Sequence, residues 1–167
     1  MNLGNLAARQ GDIRLDANGK MVIRESVASG SLTASGESVT LNGSHQTGGN
    51  MVIAGTQAVA LNGTQVAKET LEVKAKSLTH SGTSTANRIA LTGQQTLTNS
   101  GSLVAKELAL GASHITNNGK LQGTQALNLN TTQLDNLASG TLYSAQDLTL
   151  TLPQLNNQGT VQGRSLN

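Results

Sequence analysis

Residues 97–110 read Leu97-Thr98-Asn99-Ser100-Gly101-Ser102-Leu103-Val104-Ala105-Lys106-Glu107-Leu108-Ala109-Leu110. Leu108 and Leu110 stand two apart around Ala109, and Leu103 and Ala105 repeat that spacing just after a glycine. Successive side chains of a strand point to opposite faces, so this alternation marks short strands with one buried face. Leu97 anchors another strand, and Asn99 with Gly101 supplies the turn between them. Three short strands in about 19 residues leave no room for a helix of ~10 residues. The unit is all β.

Outward from this stretch the pattern recurs as Ile13/Leu15, Leu32/Ala34, Met51/Ile53, Leu71/Val73, Ile89/Leu91, Leu108/Leu110, Leu127/Leu129 and Leu148/Leu150, with Leu166 opening another pair. First members are 18 to 21 residues apart. A period that persists along the whole chain predicts a solenoid, in which each unit buries its apolar face only against its neighbours. A second column runs Leu78, Leu97, Ile115, Leu134 and Leu155, and a third follows glycines at Leu103, Leu121, Leu142 and Val161. The small residues Ala105, Gly123, Ser144 and Gly163 form the corner before the next coil. Asn99, Asn117, Asn136 and Asn157 recur at the turn, where stacked side-chain amides can bond from coil to coil. Before residue 71 two registers compete, because Gly30-Ser31-Leu32-Thr33-Ala34 also fits the third column.

Composition narrows the function classes. The 167 residues include no Cys, Phe or Trp, 1% are aromatic and 12% are charged, which argues against a conventional globular enzyme packed around large rings. Aliphatic residues spread evenly at a net charge of +2 argue against disorder. The 11 Lys and Arg are scattered rather than clustered, so nucleic acid is a poor partner. Without cysteine there is neither a disulfide framework nor a thiolate metal site. No stretch approaches the ~20 apolar residues of a membrane span, and Met1-Asn2-Leu3-Gly4-Asn5 lacks the basic and apolar regions of a signal peptide, so if the parent is exported the chain is expected to be an internal piece of it.

The stretch from Leu97 to Leu110, and Ile115-Thr116-Asn117-Asn118-Gly119-Lys120-Leu121 after it, resemble the filamentous haemagglutinin repeat. The resemblance extends over nearly the whole chain and is strongest after residue 71. It implies a right-handed parallel β-helix of about eight coils over residues 1–167, three short strands to a coil, forming a single repeat domain. Such repeats build two-partner secretion exoproteins of Gram-negative bacteria, among them adhesins and contact-dependent growth inhibition toxins. The resemblance therefore implies a stalk at the cell surface, an outer-membrane transporter during export, and a cell-surface receptor met by the parent protein. A chain threaded unfolded through a pore is also well served by the lack of Cys.

The rival reading is a β-helix that itself binds or cleaves polysaccharide, which needs paired carboxylates on one outer face. The column ahead of the first strands is Thr70, Arg88, Glu107, Ala126 and Asp147, with Glu107 and Asp147 two coils and about 10 Å apart. An Arg88–Glu107 pair on a solvated face is the expectation, with no catalytic, cofactor or metal site. His45, His80 and His114 are isolated, and His80 occupies the position that neighbouring coils give to Asn. Gly48-Gly49-Asn50-Met51 lacks the Asp of a calcium-binding glycine-rich repeat, and Lys74 and Lys76 read as solvated, edge-protecting charges.

Asn42-Gly43-Ser44, Asn62-Gly63-Thr64 and Asn130-Thr131-Thr132 are glycosylation sequons, of which the two Asn-Gly pairs are first of all turn signals. The outward residues Arg14, Thr33, Val52, Glu72, Ala90, Ala109, Asn128 and Thr149 hold no threonine array of an ice-binding kind. Leu134 to Gly140 spends two residues more than the matching turns, predicting a bulge near an outward Tyr143. Neither terminus has a polar cap, so end-to-end association of the fragment is expected.

Overall fold

A computed structural model describes residues 1–167 and contains strands but no helix. All paired strands run parallel, each to the strand about one coil away. The predicted first column is continuous: Ile13, Leu32, Met51, Leu71, Ile89, Leu108, Leu127, Leu148 and Leu166 are successive register partners. Leu32 therefore lies on the first face, which resolves the register before residue 71. The nine rungs correspond to about nine turns rather than eight. The second column, from Leu78 to Leu155, extends back through Val59 and Val39 to Met21.

Uneven spacing between coils is absorbed at corners. Four residues lead from Ala54 to Ala58 where the next coil uses three from Lys74 to Ser77, and the ladders on either side stay aligned. Pairing also continues round the corners, so Thr83–Asn99, Ser102–Asn117 and Lys120–Asn136 are each one unbroken strand spanning the three faces of a coil. Backbone groups are thus satisfied by the coil above and the coil below, and no partner element is required.

The interior is a narrow stack of Leu, Ile, Val, Met and Ala, thirty buried residues in one cluster. Lacking Phe and Trp, it is filled by aliphatic side chains that sit directly over their equivalents in the next coil. Toward the ends cover is lost, and Met1, Leu155 and Leu166 are 59%, 45% and 62% exposed. Gly101 is demanded by approach rather than by φ, because a Cβ there would meet the carbonyl oxygen of Gly82 one coil back. Gly43 has φ +62°, the left-handed turn that its Asn-Gly pair announced.

The two extra residues after Leu134 form a tight turn that Gly140 N–H closes on the Leu137 carbonyl at 2.8 Å. Ala138 and Ser139 are exposed at its tip, while Tyr143 lies half-buried on the adjoining outer face between its register partners Gln122 and Gln162. Brief treatment with a broad-specificity protease should cut first between Leu137 and Gly140, read by mass spectrometry. First cleavage in a regular coil would contradict this.

Candidate functional site

The outer columns are as the spacing predicts. Thr70, Arg88, Glu107, Ala126 and Asp147 are successive partners, and Arg88 Nε lies 3.8 Å from Glu107 Oε2. Both side chains are more than half exposed, so the pair contributes ~1 kcal/mol at most. Ala126 separates Glu107 from Asp147 in this column. Lys74 pairs with Glu72 at 3.5 Å. With Lys76 it lines a shallow trough of about 670 Å³ that also takes in Asp16 and Glu37 from earlier coils. The sequon residues Asn42, Asn62 and Asn130 are exposed, and Asn62 Nδ2 donates to Asn42 Oδ1 at 3.0 Å.

His114 is not isolated in space. Its Nε2 lies 2.6 Å from Asp135 Oδ2, and Asn156 Nδ2 donates to Asp135 Oδ1 at 2.8 Å. Hydrogen bonds from Asn156, His114 and Gln133 hold the Asp135 carboxyl below its usual range. No nucleophile completes a relay, because the same Nε2 faces both Asp135 and, at 3.5 Å, Thr116 Oγ1. Twenty-one residues separate His114 from Asp135, so only the coil register could reveal the pair.

The most ordered polar chemistry is internal. Asn99 Nδ2 donates to Asn117 Oδ1, Asn117 to Asn136 and Asn136 to Asn157, each at 2.9 Å. Each of the first three also donates to a carbonyl of its own turn, at Gly101, Gly119 or Gly140. His80 takes the ladder position above Asn99, its Nδ1 2.7 Å from Asn99 Oδ1. Before His80 the same position is aliphatic, with Ile23, Leu41 and Leu61.

There the polar groups occupy the third wall instead: Ser26, His45, Gln65 and Ser84 are buried where later coils carry Leu103, Leu121 and Leu142. Sequence reasoning missed this wall because it sought an apolar residue there. The small corner residues Ala28, Thr47, Ala67 and Ala86, each two positions further on, carry the signal. Burial pushes the His45 and His80 imidazoles below the ordinary histidine value of 6.5, outweighing their hydrogen bonds.

A lowered histidine pKa means that the folded state binds fewer protons than the unfolded chain. Stability is therefore full above about 6.5 and declines as pH falls from there toward the folded-state values. The urea midpoint should drop between about pH 7.5 and 5.5, and His80→Asn, which continues the ladder, should lessen the drop. A midpoint that rises on acidification would contradict the burial of both rings.

The interior ladder, the turn glycines and the 19-residue register together describe a repeat, and a family model settles which one. The haemagglutinin repeat model matches residues 26–101 and again 83–166. The chain belongs to the haemagglutinin repeat family. Among curated proteins it is 40% identical over 154 residues, 92% of its length, to "Toxin CdiA" of Escherichia coli, covering 5% of that protein. It is 43% identical over 76 residues, 45% of its length, to a "tRNA nuclease CdiA" of Yersinia mollaretii, covering 3%. Over 69 residues, 41% of the chain, it is 49% identical to a "16S rRNA endonuclease CdiA" of Enterobacter cloacae, covering 2%. The chain thus spans a twentieth or less of the length of these relatives. No solved structure matches it.

Proposed function

We propose that this haemagglutinin repeat segment is a length of stalk in a secreted, cell-surface exoprotein of a Gram-negative bacterium. It would hold binding or toxin domains of the parent away from the producing cell. The observation that carries this reading is the unbroken register of its coils. Each coil adds about 4.8 Å of length for some 19 residues, and nine rungs make a rod of roughly 40 Å. The role is mechanical and the segment itself is no enzyme: its stacking, not any external constellation, is its built chemistry.

The segment is internal to its parent and forms one repeat domain with whatever coils adjoin it. An outer-membrane transporter of the two-partner type exports the chain unfolded, a route compatible with a sequence free of Cys. A cell-surface receptor is reached by the parent protein rather than by these coils. Outside the parent, exposed apolar residues at the two ends, Met1 at one and Leu155 and Leu166 at the other, favour end-to-end association of the fragment, which a concentration series in the ultracentrifuge would detect.

The experiment uses the parent gene. Lengthening the segment by whole coils should move the distal end outward by about 4.8 Å per coil, measured by electron cryotomography of producing cells. A distal domain that stays at the same height would overturn the stalk reading. A panel of polysaccharides incubated with the fragment should yield no new reducing ends, and cleavage of any one would transfer the function to the coils themselves.

A further inference from the structure

His80 sits where the two kinds of interior meet, touching the asparagine ladder at Asn99 and the polar third wall at Ser84. The protons along this seam can be counted. Asn99 Nδ2 is committed to Asn117 Oδ1, and Asn99 Oδ1 accepts Gly101 N–H at 3.2 Å, so it is an oxygen that faces His80 Nδ1. Nδ1 must therefore carry a proton. On the other side of the ring, Nε2 lies 2.8 Å from Ser84 Oγ, and Ser84 Oγ lies 2.5 Å from the Gln65 side-chain oxygen.

Ser84 has one hydroxyl proton to give. If it goes to the Gln65 oxygen, Nε2 must donate and the ring is an imidazolium. That arrangement also leaves Gln65 Nε2 buried with no partner. Turning the Gln65 amide by half a turn places its NH2 on Ser84 Oγ, frees the hydroxyl to donate to Nε2, and suits a neutral ring. The unpaired group is then a carbonyl oxygen rather than a donor.

We propose that Gln65, Ser84 and His80 form a proton-coupled amide switch inside the solenoid. In neutral solution the ring is neutral, protonated at Nδ1, and Gln65 presents nitrogen to Ser84. When His80 Nε2 gains a proton from solvent, Ser84 reverses its hydroxyl and Gln65 turns its oxygen inward. The ring's register partners are Leu61 on the preceding coil and Asn99 on the next, and its other hydrogen-bond partner is Ser84, which in turn bonds Gln65; none of these is charged. The next titratable group along the seam is His45, one rung beyond Gln65, held by Ser26 Oγ at 2.7 Å and by the Asn42 carbonyl. Burial of the ring favours the neutral state. The switch would couple this junction of the rod to acid.

The test is long-range 1H–15N NMR of the histidine rings of the full 167-residue chain through an acid titration. His80 should appear as the Nδ1–H tautomer at neutral pH. Gln65→Glu keeps the shape, fixes an acceptor oxygen on Ser84 and adds negative charge, so the His80 titration should move upward. Gln65→Leu removes the oxygen that the protonated state needs, so the titration should move downward. An Nε2–H tautomer in the unaltered chain overturns the proposal without any variant. A titration that ignores both substitutions in variants with native circular dichroism overturns it too, since a merely structural glutamine would leave the ring's proton affinity alone.

Discussion

Leu108→Asp should abolish cooperative folding of the central coils, while Ala109→Asp, one residue along, should leave the urea midpoint almost unchanged. Leu108 is 1% exposed between Ile89 and Leu127, its partners on the coils either side. A carboxylate there has no donor within the aliphatic stack, and burying it costs at least several kcal/mol, comparable to the ~5–15 kcal/mol that stabilises a whole domain. Ala109 faces outward between Ala90 and Asn128, where an added charge changes stability by no more than about 0.5 kcal/mol in either direction. Leu127 and Leu129 against Asn128 should repeat the contrast, since the two leucines are buried and the asparagine is exposed. Equal losses at 108 and 109 would mean a strand buried on both faces.

The second large effect is expected inside the turn ladder. Asn117 accepts from Asn99 and from Gly119 N–H and donates to Asn136 and to the Gly119 carbonyl. Asn117→Ala therefore strands several buried groups at once. Each unpaired buried group costs about 1–3 kcal/mol, so a loss of about 3 kcal/mol or more is expected, read from the urea midpoint and from faster amide exchange at Gly119. Asn157→Ala should cost far less, because that rung is exposed and its Nδ2 continues no ladder. Matching costs at 117 and 157 would remove the ladder as a source of stability.

The two predictions rest on features of different legibility. The first-face register was readable after residue 71 because Leu, Ile and Val alternate with small or polar residues, and an alternation slipped by one residue would turn every one of them outward. Before residue 71, Gly30 to Ala34 fitted the third column equally well and only the strand pairing decided. His80 could be assigned to the turn ladder from its spacing to Leu78 alone. His45, Gln65 and Ser84 could not, because a polar residue reads as outward until its coil partners are known. What makes their burial tolerable is non-local: Ser26 for His45, Ser84 for Gln65 and Asn99 for His80, each 19 residues away. The His114–Asp135 pair was hidden for the same reason, and its geometry depends on a register set by the core beneath it. Corner lengths were less legible than faces, since one residue more or less at a corner leaves the apolar pattern on either side intact.

The central claim is that chain length converts into rod length one coil at a time. The chain contains no Cys, so pairs of spin labels can be placed cleanly on the outer column of the first face. With one label fixed at Thr33, partners at Ala109, Asn128 and Thr149 lie four, five and six coils away. Double electron–electron resonance should give mean separations of about 19, 24 and 29 Å, rising by ~4.8 Å at each step. Separations that fail to rise in that order, or that crowd around one value, would contradict the stacked solenoid.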